Sequence, residues 1–500
     1  MRFIQSIDRN QTIMFNSIDD MIEKENVVRI IDLFIDKFIS ENPKEFLPSK
    51  KSNIGAPSYH PGALLKLYFY GYSNRIKSSR QLETESYRNL ELIWLLGDLH
   101  PDHWTISNFR KLQGDKITKV WKCFQKFLKS NQYIDLKLVA IDGTKVKANT
   151  RKDMLTPEKL VKMIEYSESK LTEYLQNLDT QDQIESRQEE VEEAVSNALS
   201  ESKKKEIAMK EEIAILQVKL EEYREQLKYM ETQGLKRIGL SDPDAKLLLS
   251  RDGKIPGYNV QSAVDLKHHM IVEIEETTDT NDLNQLNPMI EKIEAAYDER
   301  PEAALCDTGY YNLDEIEKAV KGIVAEGIEV EEKKVDVYVS PKQAKDKGEV
   351  TFTYMNEKDM YVCSEGKELP LYQQNKKLNK SKADIYRCKE CPECPKFGIC
   401  TKSKKGRMIA RYKNTDFRES YEEKMRSKEG KAMMKLRRCC VEHPFGTIKY
   451  LMGKIPLLLR GKEKVGVELK LYSLAYNFKR LINVSDFDTI VRQIASFKFA

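Results

Sequence analysis

Two short apolar runs, each closed by an aspartate, constrain this chain most. LKLVAID ends at Asp142 and AALCD ends at Asp307. Short runs rich in Val, Ile, Leu and Ala read as buried strands. The second run follows an amphipathic helical stretch, NQLNPMIEKIEAAYDE. Between the two aspartates, GYNVQSAVDLKHHMIVEIEETT reads as two strands joined by a turn around Lys267 and His268. Hairpin strands, then a helix, then a strand with an acid at its tip is the element order of an α/β core. Gly143 follows Asp142 directly and Gly309 follows Asp307 at one remove. Both loops can therefore bring backbone close to a ligand.

A third acid, Glu442, sits in RRCCVEHPFGTIKYLMG, with Arg438 before it and Lys449 after it. At i, i+4 and i+11 these three share one face of a continuous helix. Pro444 is expected to kink that helix or to start a new one just after Glu442. Two carboxylates at strand ends and one on a late helix are the donors a two-metal phosphoryl-transfer site needs. Mg²⁺ is small and hard, prefers carboxylate oxygen and keeps open positions for phosphate and water. Taken singly, an acid after a strand is an ordinary cap or turn residue. The combination of contexts carries the signal.

Five hundred residues suggest roughly three units. A 40% apolar content supports a real core, while one third of the residues are charged. The net charge of +5 is modest, so nucleic-acid binding cannot rest on overall charge. Lys and Arg instead concentrate between Asn375 and Lys413, where acids are scarce. No apolar stretch approaches the roughly 18 residues that span a bilayer. MRFIQSIDRNQTIMF shows neither a long apolar segment nor a cleavage site, so no signal peptide is expected. Nine cysteines, four of them crowded into one segment, are not a disulfide framework and fit a reducing cytosol.

Residues 1–130 read as a helical domain, with VVRIIDLFIDKFI and HPGALLKLYFYGY at helical spacing and all three tryptophans inside it. PDHWTISNFRKL starts a helix that Thr105 or Ser107 can cap. The region is read either as a compact domain carrying a helix-turn-helix-like unit or as helices that only pack. Residues 131–155 open the α/β core, with a hairpin expected after Asp142. Residues 156–234 read as a helical-hairpin insertion, with Thr156 as cap and Pro157 at the first helical position. Met209, Ile213, Leu216, Leu220, Tyr223, Leu227 and Met230 form a heptad seam in it. The hairpin is self-paired or pairs with a second subunit, and its mixed charge favours a solvated arm over a DNA contact. Residues 235–324 continue the core, 325–415 form a polar, basic, Cys-rich insertion, and 416–500 close the core with Glu442 and the helix GVELKLYSLAYNFKRLI.

Within the Cys-rich segment, Cys388, Cys391, Cys394 and Cys400 follow C-x2-C-x2-C-x5-C, which lets four thiolates converge on Zn²⁺. The last spacing is wrong for a ferredoxin cluster. Cys363 can replace one ligand, and the plain alternative is a set of reduced cysteines in a loop. A basic run goes with it: Lys396, Lys402, Lys404, Lys405, Arg407, Arg411 and Lys413, with Tyr412 among them. It reads either as a phosphate-contacting surface, which gives affinity without sequence reading, or as a solvated face. His443 and the pair Cys439–Cys440 read as structural.

The chain resembles the bacterial insertion-sequence transposases of the DDE type. SSRQLETESYRNLELIWLLGDLHPDHWTISNFRK is similar to their N-terminal helical domain. IDGTKVKAN, GYNVQSAVD and CDTGYYN are similar to their first core blocks, and VEHPFGTIKYLMG and ELKLYSLAYNFKRLI to their last. The resemblance implies an RNase H-like catalytic core broken by insertions. It implies that Asp142, Asp307 and Glu442 bind Mg²⁺ or Mn²⁺. One group carries Y-x2-R-x3-E-x6-K around the glutamate. Arg438, Glu442 and Lys449 match it, but Lys435 stands at the tyrosine position. Arg438 and Lys449 resemble residues that contact DNA phosphates, or else they are ordinary ion-pair partners of Glu442. Also implied are terminal inverted repeats and target DNA as partners, a homodimer on DNA, and a bacterial cytoplasmic location at the nucleoid when DNA-bound. Two other readings stand beside this one: a catalytically silent DNA-binding descendant of a transposase, and a nuclease that only hydrolyses.

Overall fold

The computed structural model describes residues 17–46, 58–150, 154–188, 196–250, 253–322, 324–325, 328–329, 334–341, 350–378, 381–453 and 457–499. The fold is mixed α/β. Helices come first: α1 Val28–Glu41, α2 Pro61–Ser73, α3 Ser79–Arg88, α4 Leu90–Leu96, α5 His103–Leu112 and α6 Gly114–Ser130. Local chemistry sets their ends. Asn89 caps α4 by accepting from the Glu91 amide at 3.0 Å, and Gly97 closes it at φ +61. Asp102 caps α5, accepting from Trp104 at 2.9 Å and Thr105 at 3.0 Å. This corrects the expectation of Thr105 or Ser107. The Thr105 hydroxyl instead donates to Asp102 at 2.6 Å, so the cap lies earlier.

A sheet follows, built from β1 Leu138–Lys147, β2 Lys246–Ser250, β3 Gly253–Asp265, β4 Ile271–Thr277, β5 Ala303–Cys306 and, after the short pair β6 Val324–Ala325 and β7 Ile328–Glu329, β8 Asp336–Val339. Its order is β2-β3-β1-β5-β8, with β4 also on β3. β3 lies antiparallel to β1, whereas β5 and β8 run parallel to it. Parallel neighbours need crossovers. Helices α9 Leu286–Tyr297 and α10 Leu313–Lys321 lie in those connections. β1 does not end at Asp142, as its composition suggested. It runs on to Lys147 because β3 pairs with it through Gly257. The partner of β1 is therefore a distant strand, not the other half of a hairpin.

Between β1 and β2 stand two long helices, α7 Pro157–Gln188 and α8 Ser196–Gln233, packed on each other. The buried positions on α8 are Ile213, Leu220 and Met230, with Leu216, Tyr223 and Leu227 half-buried. The hairpin is thus paired with itself. At its base Leu155 and Ile238 exchange backbone hydrogen bonds of 2.8 and 2.9 Å, above a small cluster of Leu160, Met230 and Ile238.

The polar stretch after β8 carries structure its sequence had not announced. β9 Phe352–Met355, β10 Met360–Cys363, β11 Glu368–Leu378, β12 Ser381–Arg387 and β13 Met408–Tyr412 form an antiparallel sheet in the order β13-β12-β11-β10-β9. Tyr361, Leu369, Tyr386, Cys388 and Cys391 form its small core. The chain then closes with α11 Thr415–Arg426, α12 Lys428–Met452, α13 Lys462–Val484 and α14 Phe487–Ser496. α12 is one helix with Pro444 inside it, so the proline neither ends it nor starts a second. α14 lies beyond the helix expected to be last.

The first six helices share a core with the sheet and the last two helices. Phe69 meets Phe478 edge-on at 4.9 Å, Trp121 donates to Ser473 at 3.1 Å, and Phe499 packs against Phe34. Among the described residues no helix is long and apolar enough to cross a membrane.

Candidate active site

The register of β1 and β5 brings two carboxylates together. Their last parallel pair is Ile141 with Cys306, both fully buried. The next residue on each strand is Asp142 and Asp307. Neighbouring strands lie roughly 5 Å apart, so both acids leave adjacent strands at one level. Each is pinned by a backbone amide: Asp142 Oδ1 accepts from Gly143 at 3.0 Å, and Asp307 Oδ1 accepts from Gly309 at 2.7 Å. Asp307 thereby caps the short turn Thr308–Tyr310.

α12 packs against β1, β3, β5 and β8. Glu442 lies on this helix, but its side chain is outside the described residues, as are those of His443 and Cys440. The arginine that reaches the site is Arg437. Its Nη2 stands 3.3 Å from Asp142 Oδ1. Its neighbour Arg438, read from sequence as a DNA-phosphate contact or an ion-pair partner of Glu442, is exposed, and so is Lys449. A helix turns about 100° per residue, so a shift of one position decides which arginine faces the sheet. Cys439 is also exposed, so it does not serve helix packing.

A third described carboxylate stands here that the sequence reading passed over. Asp282 lies in the polar connection between β4 and α9. Its Oδ1 accepts from Asn259 Nδ2 at 2.7 Å and from Gln261 Nε2 at 2.8 Å. The Tyr310 hydroxyl donates in turn to Gln261 Oε1. The side chain fills the space a Cβ on Gly143 would need: Asp282 Oδ1 lies 2.5 Å from that position. The Gly143 loop therefore approaches a carboxylate, and only glycine leaves it room. In sequence, TDTND looks like any polar turn, which is why it gave no signal.

Burial pushes the Asp142 carboxyl up to about 6; Arg437 opposes the rise, and the charges of Asp307 and Asp282 add to it. The described donors are hard oxygens with one arginine beside them. That set suits a hard divalent cation. Among the described residues, no group of three or more His, Cys, Asp or Glu is spaced to hold a metal.

Cys363, Cys388, Cys391, Cys394 and Cys400 line one cavity under the second sheet, with Arg407 at its wall. The Cys391 sulfur accepts from the Arg407 amide and the Cys363 sulfur from the Lys367 amide, both at 3.3 Å. Five thiols therefore converge on one cavity, and thiolate is the donor chemistry a structural Zn²⁺ takes. The basic run divides. Lys404 and Lys405 are exposed. Arg407 Nη1 donates to the Cys400 carbonyl at 3.2 Å. Arg411 is 8% exposed, donates to Tyr361 at 2.9 Å, pairs with Asp416 and lies 3.6 Å over the Tyr354 ring. It is a packing residue, which corrects its reading as a DNA contact.

Comparison with known families gives two matches. A family model described as a transposase DDE domain matches residues 362–482, a span that includes Glu442. A model described as a transposase domain (DUF772) matches residues 16–112, which cover α1–α5. No curated protein matches the chain.

Proposed function

We propose that this chain is an insertion-sequence DDE transposase, a reading that the two transposase-model matches support, and that Asp142, Asp307 and Glu442 form its metal-binding triad. On this reading the protein cuts DNA at the ends of its element and joins the freed 3′-OH to target DNA. The observation that carries it is the register that sets Asp142 and Asp307 one step beyond Ile141–Cys306, with the Glu442 helix packed on the same strands. The order of the first sheet, with its central strand between antiparallel and parallel neighbours, supports an RNase H-like core.

The carboxylates of Asp142, Asp307 and Glu442 would hold Mg²⁺ or Mn²⁺. Bound there, the ion supplies charge stabilisation at phosphorus and activates the attacking water or hydroxyl. The chain's own residues position the parts. The Gly143 and Gly309 amides fix the two aspartates, and Arg437 holds Asp142 from the helix side. Exposed Arg438 and Lys449, on one face of α12, and exposed Lys404 and Lys405 contact phosphate oxygens along the DNA. Cleavage and joining are both in-line displacements at phosphorus, so one site serves both. The helices α1–α5 take the terminal repeats. Two ends cut together call for a dimer on DNA, in the bacterial cytoplasm where that DNA lies. The thiols of Cys388, Cys391, Cys394 and Cys400 would hold a structural Zn²⁺.

The test is cleavage of DNA carrying the element's ends, with Mg²⁺ or Mn²⁺, in wild type and Asp142→Ala. End-specific nicking that needs metal and vanishes in the variant supports the reading, and strand-transfer products separate a transposase from a hydrolysing nuclease. End binding without nicking in either protein would make this a silent DNA-binding descendant.

A further inference from the structure

Asp282 is held in a way that packing alone does not call for. One oxygen takes two amide hydrogens, from Asn259 at 2.7 Å and Gln261 at 2.8 Å. Both donors are buried, at 1% and 2% exposure, on β3. Gln261 is itself locked by Tyr310, which is fully buried and closes the turn that begins at Asp307. The other oxygen, Oδ2, lies 3.4 Å from the position a Cβ would take on Gly309, on the side of the Asp307 turn. The Oδ1 atom of Asn259 has no hydrogen-bond partner among the described residues, although it is buried. A chain of buried amides thus aims a carboxylate at both aspartate loops, and no lysine or arginine of the described residues pairs with it.

Resting on the metal-site reading above, we propose that Asp282 is a fourth acidic residue of that site, a positioning residue that holds the water shell of the cation bound by Asp142 and Asp307. The arrangement has a physical rationale. A divalent ion in such a site keeps several waters. Those waters need acceptors, and outer partners of this kind change metal affinity roughly 10- to 100-fold when removed. Asp282 offers a fixed acceptor whose first oxygen is already committed to amides, which leaves the second to face the site.

The experiment is calorimetric titration of the full chain with Mn²⁺, without DNA, for wild type, Asp142→Asn and Asp282→Asn. Asparagine keeps the size of Asp282 and can still accept from both amides, so a merely structural Asp282 predicts unchanged binding. The expected result is affinity for Mn²⁺ lowered at least tenfold in Asp282→Asn, with an unchanged melting temperature. Wild-type affinity in Asp282→Asn, beside a loss in Asp142→Asn, overturns the role of Asp282 alone. No Mn²⁺ binding in wild type, or none sensitive to Asp142→Asn, overturns the metal-site reading and this proposal with it. Should Asp282→Asn fail to fold, Tyr310→Phe decides. It frees the Gln261 amide without removing a charge. Weakened Mn²⁺ binding supports the proposal and wild-type binding overturns it.

Discussion

Glu273 and Glu276 show what burial does to a carboxyl group here. Both lie on β4 at 7% and 8% exposure, and Glu276 packs where Gly466 leaves room, 2.5 Å from the site of its missing Cβ. Burial pushes both carboxyls up to about 7; Lys470 opposes this for each, Glu275 adds to it, and Lys292 and Lys462 act as weaker opposing charges. A carboxyl raised in the fold stabilises it fully below its unfolded value near 4.3, and that contribution is lost as pH rises through about 7. Glu276→Gln removes the ionisation. Thermal melts should therefore show the variant roughly 1–3 kcal/mol more stable than wild type at pH 8, with the gain gone by about pH 4. A variant no more stable at pH 8 would contradict the account. At this scale the sequence was legible in part. Asp142 and Asp307 stood out because apolar runs precede them. Arg437 did not, because facing depends on helical phase, and Asp282 did not, because a carboxylate in a polar turn looks like its neighbours.

At the level of elements, legibility followed periodicity. The seam of α8 was plain in the sequence because it repeats over several turns and its buried positions include Ile213, Leu220 and Met230. The second sheet was hidden because its longest strand, β11, is exposed along most of its length and reads ELPLYQQNKKL. Surface strands of that kind carry little alternation. The continuation of β1 past Asp142 was hidden for another reason: polar residues from Gly143 to Lys147 are held in the sheet by β3, a long-range partner. The arm of α7 and α8 yields its own prediction. Its base is closed by Leu155 and Ile238 and by Leu160, Met230, Tyr223 and Leu227. Replacing residues 168–222 with a short glycine-rich turn keeps that base. Differential scanning calorimetry should find the shortened protein within about 1 kcal/mol of the full chain, a few degrees or less in Tm. A collapse of the main transition would mean the arm supports the core.

For the molecule as a whole, one buried carboxylate joins distant parts. Glu468 on α13 is fully buried. Its Oε1 accepts from Tyr72 at 3.2 Å, and Arg110 donates to the same tyrosine at 3.0 Å. Its Oε2 accepts from the Leu458 and Leu459 amides at 2.8 and 2.9 Å, in the segment that follows α12. The N-terminal helices, the closing helix and the exit of the α12 segment thus meet at one side chain. Removing one member of such a set leaves the others buried without a partner, which costs roughly 3–5 kcal/mol. Glu468→Ala should lower the urea midpoint by that equivalent with an unchanged slope, whereas a change under about 1 kcal/mol would show that these parts do not depend on it. This junction was not legible in the sequence, since its members come from α2, α5 and α13 and meet only in the folded chain.

The pairing of Ile141 with Cys306 has a consequence for how such a gene can change. Side chains alternate along a strand, so a codon gained or lost within Leu138–Asp142 or Ala303–Asp307 would turn one aspartate to the far side of the sheet from the other. A codon gained or lost along the arm leaves that pairing untouched, because Leu155 and Ile238 shut the arm off from the sheet. Related genes should therefore vary freely in length along the arm and scarcely at all within these strands.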